Sequence, residues 1–299
     1  MNQFKSHTVN GMIYGVAASI LWGSYPLWYK PLHSLNAYSL LSWRIVFAEL
    51  FLILLIIFSG RIYKIKQALQ EVKIKYIFVV AFILGLWWWL YIYGIMTNRI
   101  LEAAFGYFLS PVMSMAVSRF IFKEEINKIQ KLAIIIAVFG VFLMAIYLLN
   151  MQTFPWIAIT IGFCYSFYGI FKKQVPGDSV IIQAMEVLVL LPFALAFLIY
   201  SYYIGEIHIF MQDTKIDLLL VSTGIITVLP LWWYSQAAKN LTVIILSFIQ
   251  FIPPTCNFLL AYFVYKEPVP MVKFFAFCLI WLALIIFMSN SIIIKRKKV

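Results

Sequence analysis

The chain has 299 residues, of which 64% are hydrophobic and only 11% are charged, and its formal net charge is +12. A soluble domain is roughly half apolar and about a quarter charged, so this composition excludes an ordinary globular protein and indicates a membrane protein. The basic residues lie in short connectors and a C-terminal tail rather than on one folded surface, which argues against nucleic acid as a partner.

Apolar segments of the length that spans a bilayer, about 20 residues, follow one another along the whole chain. In order they are residues 11–30, 37–58, 74–96, 101–122, 132–149, 154–171, 180–203, 216–238, 241–265 and 269–290. The connectors are too short to hold a soluble domain. The sequence therefore predicts an all-α integral membrane protein with ten transmembrane helices.

The distribution of basic residues predicts the topology. With a cytoplasmic N-terminus, sixteen Lys and Arg residues fall in the cytoplasmic connectors and tail and five on the outer side. This agrees with the positive-inside rule for both termini in the cytoplasm and a location in the cytoplasmic membrane. The first segment lacks a small-residue cleavage site and contains Trp22 and Pro26, so it is predicted to be a retained helix rather than a signal peptide.

The second half of the chain resembles the first. When the two are aligned, the stretch FGYFLSPVMSMAVSRFIFKEE falls on FIQFIPPTCNFLLAYFVYKEP, which matches Pro111 with Pro254 and Lys123 with Lys266. A proline followed at equal distance by Lys-Glu is difficult to attribute to chance similarity between apolar segments. The alignment predicts an internal duplication.

The duplication divides the chain into residues 1–149 and residues 150–299, with five segments each. Because five is odd, the second repeat must enter the membrane upside down relative to the first. Inverted repeats are characteristic of secondary transporters, which bind their substrate near the midplane between the repeats. The sequence therefore predicts alternating access about a central cavity.

Two segments carry polar residues and a proline on one helical face: Tyr107, Pro111 and Ser114 on the fourth, and Gln250, Pro254 and Asn257 on the ninth. A proline removes a backbone hydrogen bond and kinks its helix, so both faces are predicted to line the cavity. Close helix packing is the alternative explanation for the serines. It does not explain the two amides, which need hydrogen-bond partners in an apolar environment.

Aromatic residues point to the same cavity. They are Trp22 and Tyr25 on the first segment, Trp88 and Tyr91 on the third, and Tyr234 on the eighth. Belts of Trp and Tyr at the membrane interface are the alternative for rings near segment ends. A cavity walled by such rings suits aromatic, amphiphilic or cationic solutes.

Charged residues inside a membrane are costly and therefore indicate function. Four stand out, namely Arg44, Glu49, Glu102 and Glu186. A nearly identical alignment of the two halves places Arg44 on Glu186, so both are predicted to approach the cavity, and Glu186 is the candidate for carrying a proton. Glu102 is predicted to contact substrate, although a carboxylate at a helix start is also favoured by the helix dipole.

Several stretches together resemble the drug/metabolite transporter superfamily, in its EamA family and RarD-like branch: GVAASILWGSYPLWYK, RILEAAFGYFLSPVMS, FKEE and PLWWYSQAAKNLTVIILSFIQFIPPTCNFLLAYFVYKEP. The similarity covers nearly the whole chain. It implies two EamA repeats and the carriage of small organic solutes such as amino acids, metabolites or amphiphilic drug-like compounds. Export is the predicted direction of this carriage.

The resulting interpretation is a secondary transporter, not an enzyme, with a small-molecule substrate and no cofactor. Protons as coupling ion, the lipid bilayer and a second copy in a homodimer complete the predicted partners. An intramembrane enzyme or lipid-handling protein is the alternative, but the chain shows no catalytic motif and its three histidines lie in connectors or the tail. A scaffold that transports nothing is the third hypothesis.

Overall fold

The computed structural model describes residues 2–32, 35–96, 100–121, 123, 126–149, 156–205, 213–264, 266 and 271–297. Across these ranges the regular structure is helical, and they contain no β-strand. The helices are α1 (Asn2–Gly23), α2 (Tyr25–Tyr29), α3 (Ala37–Phe58), α4 (Tyr63–Glu71), α5 (Ile74–Met96), α6 (Ile100–Ile121), α7 (Lys128–Leu149), α8 (Trp156–Gln174), α9 (Ser179–Tyr203), α10 (Thr214–Asn240), α11 (Val243–Ile249), α12 (Ile252–Leu259) and α13 (Met271–Lys297). The predicted all-α class is confirmed.

The second and third predicted segments have the same bounds as α3 and α5. Within the described ranges, six helical stretches are long and apolar enough to cross a bilayer: Tyr38–Phe58, Ile74–Tyr91, Lys128–Tyr147, Ser179–Tyr203, Thr214–Asn240 and Val243–Val264. Many of their apolar side chains are exposed on the outside of the bundle, as expected of a lipid-facing surface. The count of ten crossings stays a prediction.

The ninth predicted segment is not a single kinked helix, because the helix is interrupted at Gln250, between α11 and α12. Pro253 and Pro254 both lack an N–H, so the carbonyls of Ile249 and Gln250 lose their helical partners together. In α6 the single Pro111 removes one donor, and the helix continues through it. A five-residue π-helical segment, Leu260–Val264, follows α12.

The short helix α4 lies in a stretch that the sequence suggested was only a connector. Its nine residues are too few to span a membrane, and their composition is too polar for a membrane-spanning helix. The buried Ala68 faces the bundle, and α4 packs against α9.

The helices pack in a consistent set of pairs. Helix α1 lies against α10 and α12, α3 against α9 and α10, α5 against α8 and α9, α6 against α8 and α11, and α7 against α13. Gly11 faces Asn240 while Gly15 faces Ala237, so α1 and α10 run antiparallel. Helices from the first and second halves of the chain therefore interleave rather than forming separate bundles.

Candidate functional site

Seven aromatic side chains meet between α1, α5, α6, α8 and α10, and we call them the central aromatic cluster: Trp22, Trp87, Tyr91, Tyr107, Tyr165, Tyr168 and Tyr234. Trp87 stacks on Tyr165 with ring centroids 4.6 Å apart. Trp22 lies 5.2 Å from Tyr234. Such contacts contribute about 0.5–1.5 kcal/mol each beyond area burial, so the cluster ties both halves of the chain together.

Hydrogen bonds orient the polar edges of the cluster. The Trp87 indole N–H donates to the Tyr107 hydroxyl at 3.0 Å. The Gln250 amide donates to the Tyr234 hydroxyl at 2.5 Å and accepts from Ser110 at 3.4 Å. The Gln250 amide, which was predicted to need hydrogen-bond partners, therefore has them. Gln250 lies at the interruption between α11 and α12.

Arg44 enters the site from α3. Its Nε donates to Thr227 Oγ1 on α10 at 2.8 Å. The guanidinium carbon lies 4.1 Å from the centroid of the Trp88 ring and 5.6 Å from that of Tyr25. Tyr25 is in turn fixed by donating to the Ile226 carbonyl at 3.1 Å. The charge is thus held against two aromatic faces, an arrangement favourable for a guanidinium.

Glu186 lies on α9 in a fully buried ion pair. Its Oε1 is 2.8 Å from Lys172 Nζ, and the two side chains are 0% and 3% exposed. The Tyr168 hydroxyl donates to Glu186 Oε2 at 3.3 Å. Removing two charges from water is costly unless they are paired, so Lys172 is what permits a carboxylate at this depth.

The site contains residues that the predicted alignment of the two halves matches with each other. The alignment that matches Pro111 with Pro254 also relates Trp22 to Tyr165 and Tyr25 to Tyr168. Each charged side chain contacts the tyrosine of its own half, Arg44 with Tyr25 and Glu186 with Tyr168. In the predicted alignment of the two halves, the two charges therefore occupy nearly corresponding places.

Comparison with known proteins identifies the family. The profile of the EamA-like transporter family matches residues 9–146. The uncharacterized transporter YojE of Bacillus subtilis is 31% identical over 296 residues, which cover 97% of each chain. Protein RarD of Escherichia coli is 30% identical over 291 residues and also covers 97% of each chain. The chain belongs to the EamA-like transporter family.

The resemblance to the RarD-like branch of this family is thereby confirmed. The same architecture occurs in a solved crystal structure that is 14% identical, with a TM-score of 0.71, and the match covers 93% of this chain and 97% of that one. At that identity the likeness shows the fold alone. The family and the relatives' names indicate a multi-pass membrane transporter rather than an enzyme.

A group of basic side chains lies at one end of the bundle in this EamA-like chain, and we call it the basic clamp: Arg61, Lys64, Lys173 and Lys239. Arg61 and Lys64 pair with Asp178 at 3.2 and 2.7 Å. Lys239 donates to the Gly177 carbonyl and Lys173 to the Leu241 carbonyl. The clamp brings together the end of α3, the turn between α8 and α9, and the end of α10.

Asp178 also caps α9 by accepting from the Val180 N–H at 3.0 Å. Burial raises the pKa of the Asp178 carboxyl, but the hydrogen bonds from Lys64 and Val180 and the charge of Arg61 outweigh it, so the net pKa is lowered. A lowered pKa in the folded state contributes stability above the unfolded value, and this contribution is lost as the pH falls through the folded value.

We therefore expect Asp178→Asn to be less stable than the parent by about 1 kcal/mol or less between pH 5 and 8, because the pairs are partly exposed. The difference should be constant over that range, should shrink once the pH falls below about 4, and should vanish only below the lowered pKa of the folded state. Thermal melts in detergent at stepped pH measure it. Asn is also a good N-cap, so Asp178→Ala should lose about a further 1 kcal/mol. A difference that changes between pH 6 and 8 would contradict this assignment.

Most residues that the sequence placed at the site lie together. Trp22, Tyr91, Tyr107 and Tyr234 are in the cluster, Gln250 is bonded to it, and Trp88, Tyr25, Arg44 and Glu186 surround it. Pro111, Ser114 and Pro254 are buried in α6 and α12. The Asn257 side chain is exposed and does not join the cluster. The side chain of Glu102 lies outside the described part of the chain.

The sequence reasoning missed Trp87, Tyr165, Tyr168 and Lys172. A signal for the two tyrosines was present, because the predicted duplication relates them to Trp22 and Tyr25. Lys172 was interpreted as a connector residue, since a charge next to an apolar run usually marks its end. Among the described residues, no three His, Cys, Asp or Glu side chains come together as metal ligands.

Proposed function

We propose that the protein is a secondary transporter of the cytoplasmic membrane that moves a small organic solute past the central aromatic cluster by alternating access. The observation that carries this proposal is a site built from residues that the predicted alignment of the two halves relates, partly accessible near Arg44 and fully buried at Glu186. Arg44, Tyr25 and Tyr107 are half-buried, whereas Glu186, Lys172 and Tyr168 are fully buried.

The repeats at residues 1–149 and 150–299 are proposed to be inverted relative to each other. Arg61 follows α3 and contacts Asp178, which precedes α9, so these counterpart helices run antiparallel. Lys123 and Lys266, matched by the duplication, both adopt positive φ angles, 50° and 53°. Such angles are uncommon outside glycine, so their coincidence at matched positions supports the duplication. Ten crossings follow from five per repeat.

The orientation of the protein is proposed from charge. The basic clamp lies at the end of the bundle where α3, α8 and α10 finish. Concentration of Lys and Arg at one end supports assigning that end to the cytoplasm, with both chain termini. With this orientation, the half-buried side near Arg44 is proposed to face outward and the fully buried Glu186 to lie toward the cytoplasm.

We further propose that the solute is exported and that protons are the coupling ion. Glu186 is the proposed proton carrier, because it is a fully buried carboxyl with Lys172 and Tyr168 as its described partners. A homodimer stays a prediction.

Counterflow in proteoliposomes tests the transporter. A panel of labelled amino acids, choline-like cations, nucleosides and aromatic carboxylates is offered to the parent, to Arg44→Ala and to Trp22→Ala. We expect at least one solute to move, and the two variants to be about tenfold slower if each loses a contact near 1.4 kcal/mol. Phe193→Ala, at a 74% exposed position facing outward, is the control and should equal the parent.

If no solute in the panel moves, the transporter proposal fails. If one moves and a pH gradient does not change its accumulation, proton coupling fails while transport stands. Equal rates in Phe193→Ala and Trp22→Ala would show that the aromatic cluster is not on the path.

A further inference from the structure

The charge of Arg44 is not compensated by the part of the chain that the structure describes. A guanidinium has five N–H donors, and its described hydrogen bond uses one of them, from Nε to Thr227. The ion pairs among the described residues join Arg61 and Lys64 to Asp178 and Lys172 to Glu186, and none includes Arg44. The Tyr29 hydroxyl also lies close to the guanidinium, and a bond to it would still leave three of the five N–H donors for another group.

The corresponding acid of the second half does not balance this charge. Glu186 is already neutralised by Lys172 at 2.8 Å, and both side chains are shut off from solvent. Glu49, which follows Arg44 along α3, is buried and forms no described ion pair with it. The accessible part of the site is therefore bordered by a positive charge.

The aromatic surfaces adjoin that charge. The Tyr91 and Tyr107 side chains, which contact each other in the central aromatic cluster, lie near the Arg44 guanidinium. Both are half-buried, as is Arg44. A cation-binding aromatic cage, one of the solute classes that the sequence suggested, is disfavoured here, because the guanidinium already occupies the Trp88 face and repels a second cation.

We infer that the site takes an organic carboxylate with an aromatic or similarly flat apolar body. The planar carboxylate accepts from the free edge of the Arg44 guanidinium, a geometry that arginine pairs bidentately. The apolar body packs on the rings of Tyr107 and Trp22. This inference rests on the proposed function, since it names the substrate class of the same site.

Four probes with one phenyl ring separate the charge types: 3-phenylpropionate, 3-phenylpropanamide, 3-phenylpropylamine and phenylalanine. Binding to the full-length protein in detergent is measured by tryptophan fluorescence and by thermal stabilisation. We expect 3-phenylpropionate to bind about tenfold or more tightly than the amide, because a hydrogen bond between charged groups is stronger than one to a neutral amide. The amine should bind more weakly still. Phenylalanine should not exceed 3-phenylpropionate, because its ammonium group would lie near the positive charge that Arg44 holds against Trp88.

Three variants assign the preference to the guanidinium. Arg44→Gln should reduce the carboxylate-to-amide ratio to about one, and Arg44→Lys should keep a reduced ratio, since it retains charge but not the fork. Lys215→Gln removes an exposed positive charge at the start of α10 and should leave the ratio unchanged. Melting curves of each variant without ligand show whether it is folded.

Tighter binding of the amine or of phenylalanine, persistence of the ratio in Arg44→Gln, or binding of none of the four probes would overturn the inference. Counterflow separates this failure from that of the proposed function. If phenylalanine or the amine is carried, the protein is a transporter and only the substrate class is wrong. If no solute of any charge is carried, the transporter proposal itself is wrong.

Discussion

Replacement of Lys172 by methionine is expected to destabilise the protein by about 3–5 kcal/mol, the cost of leaving one member of a buried ion pair alone. Glu186 is 0% exposed and its described partners are Lys172 and the Tyr168 hydroxyl. Without the ammonium group the carboxylate would stand in an apolar interior. The measurement is thermal or chemical unfolding of the purified protein in detergent.

The double variant Lys172→Met/Glu186→Gln should recover most of that loss, because replacing both members of a buried pair by neutral groups is often close to neutral. Lys173→Met is the matched control, since this neighbour is half-buried and donates to the Leu241 carbonyl. It should cost about 1 kcal/mol. A Lys172→Met protein as stable as the parent would mean that the Glu186 carboxyl is uncharged in the parent.

The double variant also tests proton coupling without the instability of a lone charge. If Glu186 carries the proton, a pH gradient should no longer drive accumulation in this variant, while counterflow continues. Accumulation driven as well as in the parent would assign the proton to another group.

Replacement of Gly224 by alanine is expected to reduce transport by about tenfold or more, the effect of losing a contact near 1.4 kcal/mol at the binding site. A Cβ atom at Gly224 would lie 2.5 Å from the carbonyl oxygen of Phe47 and 2.6 Å from its carbonyl carbon. These are backbone atoms of α3, so the helix itself must move away. Thr227 lies one turn beyond Gly224 and holds Arg44, so separating the helices breaks that bond.

Gly85→Ala is the control for this change, because it makes the same substitution inside α5. There the new Cβ would meet only the tip of the Leu190 side chain, at 2.7 Å, and a side chain can rotate aside. Both variants gain the same helix propensity, so the difference between them isolates the backbone contact. Counterflow and melting temperature are compared for the pair. Equal transport in the two would show that the spacing of α3 and α10 does not fix Arg44.

The bounds of α3 and α5 were readable from sequence because each is a continuous apolar run that ends at a polar connector. The break at Gln250 was partly readable, since two successive prolines remove two successive donors. The aromatic residues could be placed by helical spacing and by the duplication, because both follow from chain distance alone.

Lys172 shows where such reasoning stops. A prediction from hydropathy places the end of a segment at the first charged residue, yet α8 continues to Gln174 and Lys172 is buried. Its burial depends on Glu186, which lies on the next helix along the chain, and only the packed structure brings the two together. The Asn257 side chain shows the opposite case. It shares a predicted face with Gln250, but the break between α11 and α12 changes the helical register and leaves it exposed.

The three consecutive tryptophans of α5 limit how this helix can move. Trp87 stacks on Tyr165, Trp88 lies under Arg44, and Trp89 is 39% exposed on the outer surface. Successive helical residues point about 100° apart. Rotation of α5 about its axis by that angle would therefore place each of the three indoles where its neighbour in the sequence now lies. Such a rotation would expose a ring that is now stacked and bury one that now faces outward. These contacts therefore resist rotation of α5 about its own axis.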